Sequence, residues 1–170
     1  MATVEMTISM SLNNVIGGLG VNLLFYDDVV TNFFNNCNHP KTNIIIGRNS
    51  FLQFFDLNNN KNYNKKIFVL THETKQHCIN EKVYFVNLQI LLQILNASNE
   101  TFTVIGGLTV FNLMLPYATK LHIFRNEFFL DSPNGITLND CTLFKEITKQ
   151  NKTSIKDNVN YTLLLLEKKL

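Results

Sequence analysis

Cysteine is scarce in this 170-residue chain. Cys37, Cys78 and Cys141 lie far apart, and no C-x-x-C pair occurs. An odd number of separated thiols supports neither a disulfide framework nor a zinc site, so reduced, mostly buried thiols and no bound metal are expected. His39, His77 and His122 have no ligand-like spacing to other donors and read as ordinary surface or strand residues. Clustered basic residues are also missing. Lys and Arg are scattered apart from Lys65-Lys66 and Lys168-Lys169, and the net charge is only +2, which excludes the basic face that nucleic acid demands. No apolar run approaches the roughly 18 residues of a membrane span. Met1-Ala2-Thr3-Val4-Glu5 places no basic segment ahead of an apolar core, so no secretory signal is read there. A soluble, cytoplasmic protein is therefore expected. The glycosylation-like triplets that begin at Asn96, Asn99, Asn151 and Asn160 are then chance matches.

What is present is enough apolar residue for a real core: 45% of the chain is hydrophobic and 16% charged, at a length that suits one domain. The organising stretch is Val104 to Pro116. The apolar run Phe102-Thr103-Val104-Ile105 reads as a buried strand, Gly106-Gly107 breaks it, and Val110, Phe111, Met114 and Leu115 recur at helical spacing. A glycine turn before a helix lets backbone approach a ligand and lets free N–H groups attract an anion such as a phosphate. Adjacent glycines also mark ordinary strand-to-helix turns, and both readings stand.

Along the chain, Met6 to Leu12 alternates as a strand with two different faces, Asn13-Asn14 turns, and the glycines of Val15 to Gly20 describe a loop. Val29, Val30, Phe33 and Phe34 form a short helix between Phe25 and Cys37, with Asp27 and Asp28 in its first turn, where capping and chemistry are both open. Asn43 to Ile46 is an apolar strand, and Gly47-Arg48-Asn49-Ser50 opens a helix over Phe51 to Phe55. The Asn-rich segment Asp56 to Asn64 reads as a surface loop. Lys66 to Thr71 and Val83 to Val86 are strands, Leu88 to Leu95 a helix, Leu121 to Phe124 a strand, and Tyr161 to Leu166 a final buried strand. This alternation predicts an α/β fold with a central, mainly parallel sheet, helices on both faces and a C-terminal antiparallel hairpin.

Three pieces now stand in order: Ser9 to Gly17, ending in Val15-Ile16-Gly17; Ile44-Ile45-Ile46-Gly47-Arg48; and Val104-Ile105-Gly106-Gly107 through Pro116. With Leu70-Thr71 between them, the chain resembles the dihydrofolate reductase family from about Met6 to Asn126. The resemblance implies NADPH-dependent reduction of dihydrofolate to tetrahydrofolate by a monomer whose partners are small molecules. Ile16 and Gly17 would lie against the nicotinamide ring, with Gly18 to Asn22 as a closing loop. Gly47, Arg48, Asn49 and Ser50 would sit under the cofactor phosphates. Thr71 and His72 would read the 2′-phosphate. Gly106 and Gly107 would share a cis peptide, and Leu108, Thr109, Val110 and Phe111 would line the pyrophosphate and nicotinamide side. Ser9, Val30, Phe34, Lys65, Ile105 and Phe124 fall at substrate-binding positions.

The substrate half departs from the family pattern. Val30 stands four residues before Phe34, where the family carries its acid, so Asp27 or Asp28 is the candidate catalytic carboxylate. Leu23-Leu24 replaces Pro-Trp, and the chain has no Trp at all. Phe124 replaces the Thr that partners the acid, and Lys65 replaces the Arg that grips the glutamate tail of folate. Two alternatives follow: a reductase of another pterin or pyrimidine, of the riboflavin-pathway type that Ser9-Met10-Ser11-Leu12-Asn13 also resembles, or a non-catalytic binding protein of the same fold.

Overall fold

Alternation of Val4, Met6, Ile8 and Met10 with Glu5, Thr7 and Ser9 builds the first strand, β1 (Thr3–Met10), at the heart of the sheet. The computed structural model describes residues 1–16, 42–54, 65–73, 77–79, 81–129, 141–154, 158 and 160–169. The remaining strands are β2 (Thr42–Gly47), β3 (Ile67–Leu70), β4 (His77–Ile79), β5 (Val83–Val86), β6 (Thr101–Gly106), β7 (Lys120–Asn126), β8 (Phe144–Thr153) and β9 (Asn160–Lys168). Three helices are described: α1 (Arg48–Phe54), α2 (Leu88–Ala97) and α3 (Leu108–Met114), the last running into a 3₁₀ turn at Leu115–Tyr117.

The strand order is β4-β5-β3-β2-β6-β1-β7-β9-β8. From β5 to β7 every pairing is parallel, and antiparallel pairing enters only with β4 and β9. The mainly parallel sheet and the β8–β9 hairpin are thus as the sequence predicts. β1 begins at Thr3, earlier than its alternation alone suggests, because Thr3 to Met6 already pair with Thr101 to Val104.

Parallel strands are covered on both faces, so they read as near-continuous apolar runs. Ile44, Ile45 and Ile46 of β2 are all buried. One face of the sheet carries Met6, Ile8, Met10, Ile45, Phe68, Val104 and Ile123 against α2 and α3. The other carries Ile44, Ile46, Val69, Ile105 and Phe124 with Phe51 of α1. On this second face β1 contributes Thr7 and Ser9, which are buried as well. The strand therefore has two chemistries but no solvent face, as its central position requires.

Two expectations are corrected. Cys78 is exposed rather than buried, because it lies on β4, a three-residue edge strand. That strand carries too little apolar alternation to be read from sequence, and the stacking of His77 on Phe85, with centroids 4.4 Å apart, lies along it. Nor is β9 buried along its length: only Tyr161 and Leu164 are, since its outer neighbour β8 is almost wholly exposed.

Phe51 anchors α1. Its side chain is fully buried and meets Phe85 edge to face at 5.8 Å. Phe51→Ala is expected to cost about 3–5 kcal/mol of folding stability, the range for emptying a buried aromatic site; urea unfolding of the two proteins measures it.

Candidate functional site

Strands β2 and β6 are parallel neighbours, so their carboxyl ends deliver two strand-to-helix turns side by side. Gly47 ends β2 and Arg48 starts α1, while Gly106 ends β6 and Gly107 precedes α3. The two turns touch where a side chain has no room. A Cβ on Gly107 would fall 2.8 Å from Ser50 Oγ, and one on Gly47 would fall 3.0 Å from Val110 Cγ2 and 3.3 Å from the Gly107 nitrogen. Gly106 has φ of +132°, a conformation that L side chains rarely adopt. The Gly106–Gly107 peptide is cis. Among the described residues no side chain caps α3, and the first-turn N–H groups of a helix have no partner within it.

The predicted residues Gly47, Arg48, Asn49 and Ser50 lie on the first of these adjacent turns, and Gly106, Gly107, Leu108, Thr109, Val110 and Phe111 on the second. Val110 and Phe111 are buried, and the Phe111 ring lies 3.6 Å from where a Gly106 Cβ would stand. Their side chains support the turn from below. Thr109 is exposed and Leu108 half-buried.

Next to these turns, at the end of β3, Thr71 donates its N–H to Val86 O (2.9 Å), and His72 is exposed. Arg48 Nη1 donates to Glu73 Oε1 at 2.8 Å, the Glu73 N–H donates to Thr71 Oγ1 at 3.2 Å, and His77 Nδ1 lies 4.0 Å from Glu73 Oε2. The Arg48 and Glu73 side chains are 54% and 47% exposed, so the pair adds little stability, on the order of 0–1 kcal/mol. Glu73 escapes sequence reasoning, although a carboxylate two residues after Thr71 was the available signal.

On the second sheet face, Ser9 of β1 stands beside Phe124 of β7, and Ile105 packs in the same apolar cluster as Phe124. Phe124 is fully buried, and Lys65, just before β3, is 8% exposed. Asn126, two positions beyond Phe124, was not singled out from sequence. Its Nδ2 donates to Ser9 Oγ (2.9 Å) and to Met10 O (3.1 Å), while its buried Oδ1 has no partner among the described residues. A buried carbonyl oxygen left unpaired is costly and uncommon.

β1 leaves the sheet through a tight clasp. Ser11 N–H donates to Val15 O (3.0 Å), Val15 N–H to Ser11 Oγ (3.1 Å), and Arg125 Nη2 to Asn14 Oδ1 (2.9 Å). Asn14 takes φ of 61°, which Asn tolerates. Ile16 then packs half-buried against the core. Gly17, Asp27, Asp28, Val30 and Phe34 lie outside the described residues, as do Cys37, the closing loop expected over Gly18 to Asn22 and the Asn-rich loop expected over Asp56 to Asn64.

If the contact between the turns sets the crevice, Gly107→Ala is expected to cost about 1–3 kcal/mol through overpacking. Adding Ser50→Ala, which removes the clashing Oγ, should recover most of that loss in thermal or urea unfolding.

Residues 3–168 match the family model described as dihydrofolate reductase. Among solved structures, dihydrofolate reductase from Enterococcus faecalis complexed with NADP(H) and RAB-propyl is similar with a TM-score of 0.78 and 15% sequence identity. The match covers 99% of this chain and 97% of that one. None of the curated protein sequences matches. At such identity the structural likeness speaks for the fold, and the family-model match spans nearly the whole chain; the protein belongs to the dihydrofolate reductase family.

Proposed function

We propose that the protein is a nicotinamide-nucleotide-dependent reductase of a dihydropterin, with NADPH as cofactor and dihydrofolate as substrate. The observation that carries this reading is the side-chain-free junction of Gly47, Gly106 and Gly107 against Ser50 at the carboxyl end of the sheet. Bare backbone there suits the close approach of a diphosphate, and in open α/β sheets ligands bind at this end, where the strand order reverses. Here β6 enters between β2 and β1. A bound nicotinamide would supply the hydride.

The chain's own residues would bind, orient and protonate. Asn49 and Ser50, in the first turn of α1, and the first-turn N–H groups of α3 would hold the diphosphate. Thr71, His72 and Arg48 would meet the adenosine end. In the substrate half, Phe124 offers no hydrogen bond where the family has Thr, and Ser9 with Asn126 Oδ1, which has no partner among the described residues, supplies polar capacity on the same face. Ile105 and Phe124 would give the pocket its apolar wall. Asp27 or Asp28 would support protonation of the pterin, the step the cofactor does not perform.

The decisive assay follows NADPH absorbance on adding dihydrofolate to purified protein, with direct NADPH binding measured in parallel. Oxidation that methotrexate abolishes is the expected result. Binding without oxidation would point to another pterin or pyrimidine substrate, and failure to bind would overturn the reading. Asp27→Asn and Asp28→Asn separate the two carboxylates: the variant that loses the acid should lose on the order of 10²-fold or more in kcat. Full activity in both would remove this assignment.

A further inference from the structure

We propose that Glu73 is a cofactor-selecting residue, holding Arg48 away from a 2′-phosphate and offering its carboxylate to an unmodified adenosine ribose, so that the crevice takes NADH as well as NADPH. The inference rests on the nucleotide-reductase reading above and concerns the adenosine end of the same crevice.

The family resemblance puts Thr71 and His72 at the 2′-phosphate, and Arg48, bonded through Nη1 to Glu73 Oε1 at 2.8 Å, is the guanidinium beside them. The Glu73 carboxylate has one hydrogen bond, from Arg48 to Oε1; the Glu73 backbone N–H donates to Thr71 Oγ1 at 3.2 Å, and His77 Nδ1 lies 4.0 Å from Oε2. His77 is itself held by stacking on Phe85, with ring centroids 4.4 Å apart and planes 7° apart. The carboxylate therefore lies between Arg48 and His77, where β3 ends and β4 begins.

A phosphate dianion arriving at Arg48 meets a guanidinium whose Nη1 is already bonded, and it must lie beside the Glu73 carboxylate whether or not that bond breaks. Like charges at contact distance repel, and the half-exposed Arg48 and Glu73 side chains leave that repulsion partly screened by solvent. An unphosphorylated ribose meets the opposite situation. Its 2′- and 3′-hydroxyls are donors, and an acidic residue beyond a β-strand is the usual acceptor for them in dinucleotide sites. One residue thus weakens recognition of the phosphorylated nucleotide and strengthens recognition of the other. Because Glu73 is 47% exposed, substituting it should leave the fold intact.

The test is calorimetric titration of the full chain and of Glu73→Gln with NADPH, NADH and 2′,5′-ADP, independent of turnover. Wild-type protein is expected to bind NADPH and NADH within about tenfold of each other. Removing one like charge at contact distance should tighten NADPH and 2′,5′-ADP by roughly tenfold in Glu73→Gln, while NADH weakens. Dinucleotide binding with an NADPH-to-NADH ratio unchanged by the substitution, or a wild-type preference for NADPH beyond a hundredfold, overturns the proposal and leaves the reductase reading standing. No binding of either dinucleotide overturns both.

Discussion

The insertion of β6 between β2 and β1 is the constraint from which the rest of the architecture follows. It makes Gly47 and Gly106 neighbours at the carboxyl edge of the sheet, and it brings α1 and α3 close enough that Gly107 has room for no side chain beside Ser50. Each residue type in this junction answers a steric demand. Val110 fills the space above Gly47, Phe111 supports Gly106 from the core side, and Ser50 supplies the small side chain that the opposite turn just clears. The junction is shaped by backbone and by three side chains packed against it, those of Ser50, Val110 and Phe111.

The two sheet faces divide the labour. The face under α2 and α3 is apolar from Val4 to Ile123 and holds the sheet rigid. The opposite face interleaves Ile105 and Phe124 with Thr7, Ser9 and Asn126, so buried hydrogen-bonding groups lie among hydrocarbons. Buried amides and hydroxyls are expensive unless satisfied, and the Asn126–Ser9 bond meets part of that cost by tying β7 to β1. On this face the hydrogen-bonding capacity of β7 lies at Asn126, two positions beyond the apolar Phe124.

The pattern of apolar residues revealed the central architecture. Spacing alone identified Val110, Phe111, Met114 and Leu115, all of which are buried, and the alternation of Met6, Ile8 and Met10 marked the apolar face of β1. Those signals are local and repeat with a period. What escaped depends on partners brought from a distance. Asn126 gains its role from Ser9, 117 positions away, and Glu73 from Arg48, 25 positions away. Cys78 and β4 escaped because an edge strand of three residues has no period to read. The long β8–β9 hairpin was visible as strand, but its shallow burial depends on how little covers it.

The order of strands also bears on how the chain reaches this structure. The first strand pairs with β6 and β7, joining Thr3 to Thr101 and Glu5 to Lys120. On a ribosome, β1 emerges long before either neighbour exists. Pairing across so long a loop is slow, and apolar strand edges wait unpaired in the meantime. The middle of the sheet therefore closes only after β6 and β7 are made, with β9 and β8 still to add at the edge, and the growing chain must keep Val4, Met6, Ile8 and Met10 from pairing with other chains until then.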